Sequence, residues 1–147
     1  MVDIEVKRTL NAPIDDVFEM LTDHGNYKQF RGIDDSELLR EGDSEKNGLG
    51  AQRRIKAGPV TFFEDVTAFE RPTLFEYRIV KMNPPLLKHE LGRVELSDNN
   101  GKTDVRWVSV SKMRLPLIGK FLAPRLAKDG HKGFDSILRT IEKKLAA

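Results

Sequence analysis

The chain opens on strict alternation, with Val2, Ile4 and Val6 apolar and Asp3, Glu5 and Lys7 charged. A period of two puts the apolar set on one face and predicts a strand with its other face in water. After Asn11-Ala12-Pro13 the period lengthens to that of a helix. Ile14, Val17, Phe18 and Leu21 form an apolar stripe, and Asp15, Asp16 and Glu19 suit the positive end of a helix dipole. A second short helix is expected from Asp23 to Phe30, with Tyr27 and Phe30 turned inward. Both helices are too short to stand alone and must cap something larger.

Six more strand-like runs follow: Arg31–Arg40, Leu49–Lys56, Val60–Phe69, Leu74–Met82, Leu86–Ser97 and Thr103–Met113. Between them lie the polar loop Glu41–Gly48, the turn Ala57-Gly58-Pro59, the link Glu70-Arg71-Pro72-Thr73 and the hairpin signal Asp98-Asn99-Asn100-Gly101. Strands spaced this regularly indicate an antiparallel meander, not βαβ units. The end is helical again. Leu115, Ile118, Leu122 and Leu126 form one stripe; Phe134, Ile137, Leu138, Ile141 and Leu145 form a second, offset from the first. A kink or break near Pro124 would reconcile them. Gly130 and Gly133 lie between the stripes, where a helix interior disfavours Gly by about 1 kcal/mol each.

The order of elements predicts an α+β fold. A curved seven-stranded antiparallel sheet, two short helices and one long C-terminal helix enclose a cavity, in a single domain over residues 1–147. A curved sheet gripping one helix leaves space between them, and small residues on the helix enlarge it.

Composition adds limits. Of 147 residues, 39% are apolar and 33% charged, an ordinary globular balance. With no cysteine there is no disulfide framework, thiolate zinc site or cysteine nucleophile. No apolar run approaches the roughly 20 residues of a membrane span, and the N-terminus lacks signal-peptide character, so a cytoplasmic location is expected. The net charge of +2 gives no argument for nucleic acid. From Lys112 onward, however, nine Lys and Arg face only Asp129, Asp135 and Glu142. This is either a solvated helix face or a surface for transient contact with an anionic membrane or an acidic partner. A monomer and a homodimer both remain open.

The segments Leu10-Asn11-Ala12-Pro13-Ile14-Asp15-Asp16-Val17-Phe18 and Val66-Thr67-Ala68-Phe69-Glu70-Arg71-Pro72 carry a family resemblance. Gly92-Arg93-Val94-Glu95-Leu96 and Gly101-Lys102-Thr103-Asp104-Val105-Arg106-Trp107 continue it, ahead of the long helix. The chain resembles the START/Bet v 1-like (SRPBCC) superfamily, in particular its small bacterial polyketide cyclase/dehydrase and lipid-transport proteins. The resemblance spans essentially the whole chain and implies a helix-grip fold. It also implies binding or transport of a hydrophobic small molecule (lipid-, quinone- or polyketide-like) in the internal cavity. Such motifs specify fold better than function. A cyclase or dehydratase using the same pocket, and a membrane or protein interaction module acting through the basic C-terminal helix, are the alternatives.

Alternation assigns the candidate walls. Phe62, Glu64, Val66 and Ala68 share one face of their strand; Phe75, Tyr77 and Ile79 share another. Glu90, Gly92, Val94 and Leu96 form a third set, and Thr103, Val105, Trp107, Ser109 and Ser111 a fourth. Leu126, Gly130 and Gly133 would supply the helical lid. Trp107 and Tyr77 offer apolar contact with a polar tip, or are simply core. Buried Glu64 or Glu90 would have a raised pKa and could act as general acid or base, unless either lies at a strand end and reaches water. Among His24, His89 and His131, His89 is the best acid/base candidate, although each also reads as a surface histidine. Asp129 meets either a ligand's polar end or solvent. Pro84-Pro85-Leu86-Leu87 and Leu115-Pro116-Leu117-Ile118 read as apolar lips at the mouth, or as ordinary hairpin packing. No metal site and no cofactor is expected, and no P-loop, dinucleotide fingerprint or nucleophile elbow is present.

Overall fold

The computed structural model describes residues 1–115 and 117–146. Its elements run β1 (Val2–Leu10), α1 (Ile14–Leu21), a 3-10 turn (His24–Gln29), β2 (Asp35–Arg40), β3 (Gln52–Ala57) and β4 (Val60–Glu70). They continue with β5 (Leu74–Asn83), β6 (Leu87–Asn99), β7 (Lys102–Met113) and α2 (Gly119–Ala146). The strands form one seven-stranded sheet in the order β1-β7-β6-β5-β4-β3-β2, every neighbouring pair antiparallel. This is the expected helix-grip arrangement.

Local chemistry fixes the register. Asn99 pairs with Lys102 across a two-residue turn in which Asn100 and Gly101 both have positive φ, at 52° and 89°. That is the type I′ geometry whose twist matches a hairpin, and Asn-Gly adopts it at the least steric cost. In β1 the alternation holds, with Val2, Val6 and Leu10 buried against the interior.

Besides a register shift in β2 between Leu38 and Arg40, three β-bulges in β4, β5 and β6 break the period of two. Thr67 is the extra residue between Val66 and Ala68, Val80 is extra opposite Phe63 and Glu64, and Glu90 is extra between His89 and Leu91. Each extra residue turns the following stretch over. Ala68 therefore leaves the inner face, and Phe69 packs edge-on against Phe18 instead. Along β5 and β6, paired residues run only from Leu74–Glu95 to Tyr77–Gly92. Beyond that point the two strands diverge.

The helix α2 is one uninterrupted element of 28 residues with Pro124 inside it. The break expected near Pro124 is absent, and Leu115 and Ile118 lie before the helix, exposed to solvent. In the C-terminal half, Ile137, Leu138 and Ile141 are buried. Polar ties hold this half to β1 and its exit: Arg8 Nη1 donates to Asp135 at 3.0 Å, and the Asn11 N–H donates to Glu142 at 2.6 Å.

The interior is solid at one end and hollow at the other. Leu10, Ala12, Val17, Phe18, Leu21, Phe75, Val94, Leu96, Val105, Leu138 and Ile141 close the end beside α1. Toward Val2, Ser111 and the N-terminal half of α2 the sheet and helix separate. Among the described residues no helix is long and apolar enough to cross a membrane.

Candidate functional site: a cavity between the long helix and the sheet

The separation encloses a cavity of about 500 Å³. Its apolar wall includes Ile4, Ile33, Ile55, Phe62, Ile79, Met82, Leu86, Leu87 and Leu126. Trp107 stacks face-to-face on Phe134, with ring centroids 4.1 Å apart, where the solid core gives way to the space. A larger groove of about 690 Å³ lies on the outer sheet face, but it is open to solvent and lined by charged side chains. Its two outer arginines are already paired, Arg106 with Glu5 and Glu95 and Arg93 with Glu76 and Glu95. It encloses nothing.

Of the residues singled out from the sequence, Phe62, Glu64, Tyr77, Ile79, Trp107, Ser109, Leu126, Gly130 and Gly133 line the cavity. Val66, Phe75, Val94 and Val105 do face inward but are buried in close-packed core instead. A Cβ at Gly130 would collide with the end of the Ile4 side chain, whereas one at Gly133 would meet open space. Asp129 reaches the rim, largely exposed, 4.0 Å from Arg125. Leu86 and Leu87 line the space as a lip; in the second expected lip, Leu115, Leu117 and Ile118 are exposed, and Pro116 lies outside the described residues.

Glu90 corrects an expectation. It is the bulge residue of β6, so it points outward and pairs with Lys112 at 3.2 Å in solvent. The same bulge keeps His89 inside, where it is 3% exposed. His89 stacks on Tyr77 and fills the gap where β5 and β6 part. The Ile79 N–H, which has lost its ladder partner there, donates to His89 Nδ1 at 2.9 Å. With Nδ1 accepting, the neutral ring carries its proton on Nε2 and donates to Ser109 Oγ at 3.2 Å. Burial lowers the His89 pKa and the Arg78 charge adds to that; the Glu64 charge opposes it. The ring is a neutral structural donor whose basic nitrogen is already used.

A buried charged cluster forms the floor. Arg53 and Glu64 pair across β3 and β4, with side chains only 3% and 8% exposed. Arg53 Nε donates to Glu64 Oε1 at 2.7 Å, and Nη2 lies 2.7 Å from the same oxygen in the ion pair. Arg53 Nη1 donates to His24 Nδ1 at 3.1 Å, and His24 Nε2 donates to the Asn47 carbonyl at 2.8 Å. That guanidinium also lies over the Tyr27 and Tyr77 rings, 4.5 and 5.2 Å from their centroids, so aromatic faces replace much of its lost hydration. The Tyr77 hydroxyl accepts from Trp107 Nε1 at 2.9 Å, and burial pushes its phenol pKa well up, so it stays protonated. The ring can lie this flat only because residue 92 is Gly; a Cβ there would collide with it.

Sequence reading missed Arg53 and His24 as parts of this site, whereas Ser111, placed on the wall with Trp107 and Ser109, does line the cavity. Arg53 had a signal: it alternates with Ala51 and Ile55, both buried, so it shares their inward face. His24 had none, because its partners, Arg53 and the Asn47 carbonyl, are both distant in sequence. Among the described residues, no three His, Asp or Glu side chains converge as a metal would require.

Comparison with known proteins places the arrangement. Residues 1–146 match the family model described as polyketide cyclase/dehydrase and lipid transport. No curated protein matches the chain in sequence. Among solved structures, a START superfamily protein from Mycobacterium smegmatis is similar at TM-score 0.78 and 12% identity, covering 98% of this chain and 97% of that one. The Zhui aromatase/cyclase from Streptomyces sp. R1128 is similar at TM-score 0.79 and 17% identity, covering 98% and 93%. Ara h 8.0201 is similar at TM-score 0.75 and 16% identity, covering 98% and 97%. At such identities the structures speak for the shared helix-grip fold, whereas the family model reads the sequence itself: the chain belongs to the polyketide cyclase/dehydrase and lipid transport family.

Proposed function

We propose that the chain binds and carries a hydrophobic small molecule, lipid-, quinone- or polyketide-like, in the cavity under α2. The supporting observation is a largely apolar space of about 500 Å³ in an otherwise close-packed interior. Interiors normally leave few voids larger than a water molecule, so one of this size is suited to an apolar guest. Trp107, the sole tryptophan, stands in the wall and reports occupancy. Native mass spectrometry of freshly purified protein should show a co-purifying small molecule, and apolar compounds should titrate the Trp107 fluorescence. Ser111→Phe, which fills the hollow end, should weaken that titration at least about tenfold, the scale of about 1.4 kcal/mol in lost contact. Absence of both a bound mass and a titration would overturn the carrier reading.

A cyclase or dehydratase has less to work with here. His89 has no free basic nitrogen, Glu90 faces solvent, and Glu64 is locked to Arg53.

One surface observation favours transient contact with an anionic membrane. Leu117 and Phe121 are 85% and 84% exposed, beside Arg114, Lys120, Arg125 and Lys128. The Arg114 N–H bonds the Leu86 carbonyl, which places this apolar and basic tip next to the lip of the cavity. Apolar insertion backed by cationic attraction is how a peripheral surface holds anionic lipid. The protein should co-sediment with phosphatidylglycerol-containing vesicles at low salt, less so with Phe121→Ser, and detach at high salt. No sedimentation at low salt would defeat this contact.

A further inference from the structure

The wiring of the polar floor limits what the head of a guest can be. The Arg53 nitrogens that approach Glu64, Nε as donor and Nη2 in the ion pair, both meet a single oxygen, Oε1. Oε2 receives no hydrogen bond from any described residue, although Glu64 lines the cavity and is 6% exposed. Oε2 is not sealed among protein atoms, so a guest in the cavity can reach it with a donor, and a hydrogen bond to a carboxylate is among the stronger ones. Three hydroxyls line the same cavity, those of Tyr77, Ser109 and Ser111. The Tyr77 and Ser109 hydroxyls accept from Trp107 and His89, and no described residue accepts their own protons. Ser111 Oγ lines the cavity without a partner among the described residues.

The charge of this corner is already balanced. Arg53 compensates Glu64, and Arg53 is itself held by His24 and enclosed by the two tyrosine rings. A carboxylate or phosphate head would set a second anion beside Oε2, and among the described lining residues Arg53, already paired, is the one cation. An ammonium head would leave a net charge in an apolar enclosure, where desolvation is costly. A hydroxyl is uncharged and still brings a donor for Oε2.

Resting on the carrier reading, we propose that the cavity selects uncharged apolar molecules bearing a hydroxyl or phenol, which donates its proton to Glu64 Oε2. Four probes with matched apolar chains test this by titration of Trp107 fluorescence at neutral pH: 1-decanol, its methyl ether, decanoate and decylammonium. Decanol should bind about tenfold or more tighter than the ether, which lacks only the donor, and tighter than either ion. Glu64→Gln should bring decanol and ether to within about threefold of each other, because an amide oxygen is a weaker acceptor than a carboxylate. If none of the four titrates the wild-type protein, the carrier reading itself fails. If they bind but decanol does not exceed its ether, or an ion binds best, the head-group assignment fails while the carrier reading stands. Should Glu64→Gln not fold, the wild-type series alone decides.

Discussion

Replacing Arg53 by Met should destabilise the fold by about 3–5 kcal/mol, the usual cost of leaving one member of a buried ion pair alone. The side chains are 3% and 8% exposed, so solvent offers Glu64 little compensation once the guanidinium is gone. His24 Nδ1 loses its only donor in the same change. The double replacement Arg53→Met with Glu64→Leu should recover much of the loss, because it removes both desolvation penalties together. Urea unfolding of the wild-type, single and double variants at pH 7 measures this directly. A single-variant loss under about 1 kcal/mol, or no recovery in the double variant, would show that the pair is not buried as described.

Acid should weaken the protein through His24 well before the carboxylates titrate. Burial, reinforced by the charge of Arg53, lowers the His24 pKa from 6.5 to about 3, against the opposing bond to Asn47. Above pH 6.5 the ring is neutral in both folded and unfolded chains and contributes no pH dependence. Below it the unfolded chain takes up a proton that the folded chain refuses, so stability falls with pH. The slope approaches about 1.4 kcal/mol per pH unit and continues until the folded pKa is reached, a total on the order of 4–5 kcal/mol. His24→Gln keeps an acceptor for Arg53 and a donor for Asn47 but cannot titrate. Its stability should be nearly flat between pH 6.5 and 4.5, where the wild-type protein declines. Parallel profiles for the two proteins would remove His24 as the cause.

The elements and their order were legible because each follows from local periodicity and turn chemistry. Phe75, Tyr77, Trp107 and Ser109 were correctly turned inward for the same reason: strand alternation holds without interruption around them. It failed where the period of two is broken. Nothing in the local sequence marks Thr67, Val80 or Glu90 as extra residues, so Ala68 and Glu90 were turned the wrong way. The bulge at Glu90 is settled by the divergence of β5 from β6 and by the exchange of a backbone bond for the His89 ring. Those are long-range relations. Alternation also could not say which inward residues meet space and which meet neighbours, since that depends on how α2 departs from the sheet. Val94 and Trp107 are cross-strand partners, yet only Trp107 borders the cavity.

The division of the interior into a solid end and a hollow one also separates two kinds of evolutionary change. A substitution at Leu10, Phe18, Val94 or Leu138 disturbs close packing and is felt by the whole fold. Residues such as Ile79, Met82, Leu86 and Leu126 border empty volume, so a change of side-chain size there loses fewer contacts. The hollow end can drift toward a new guest while the solid end preserves the shape. A scaffold built in this way diversifies its contents faster than its architecture.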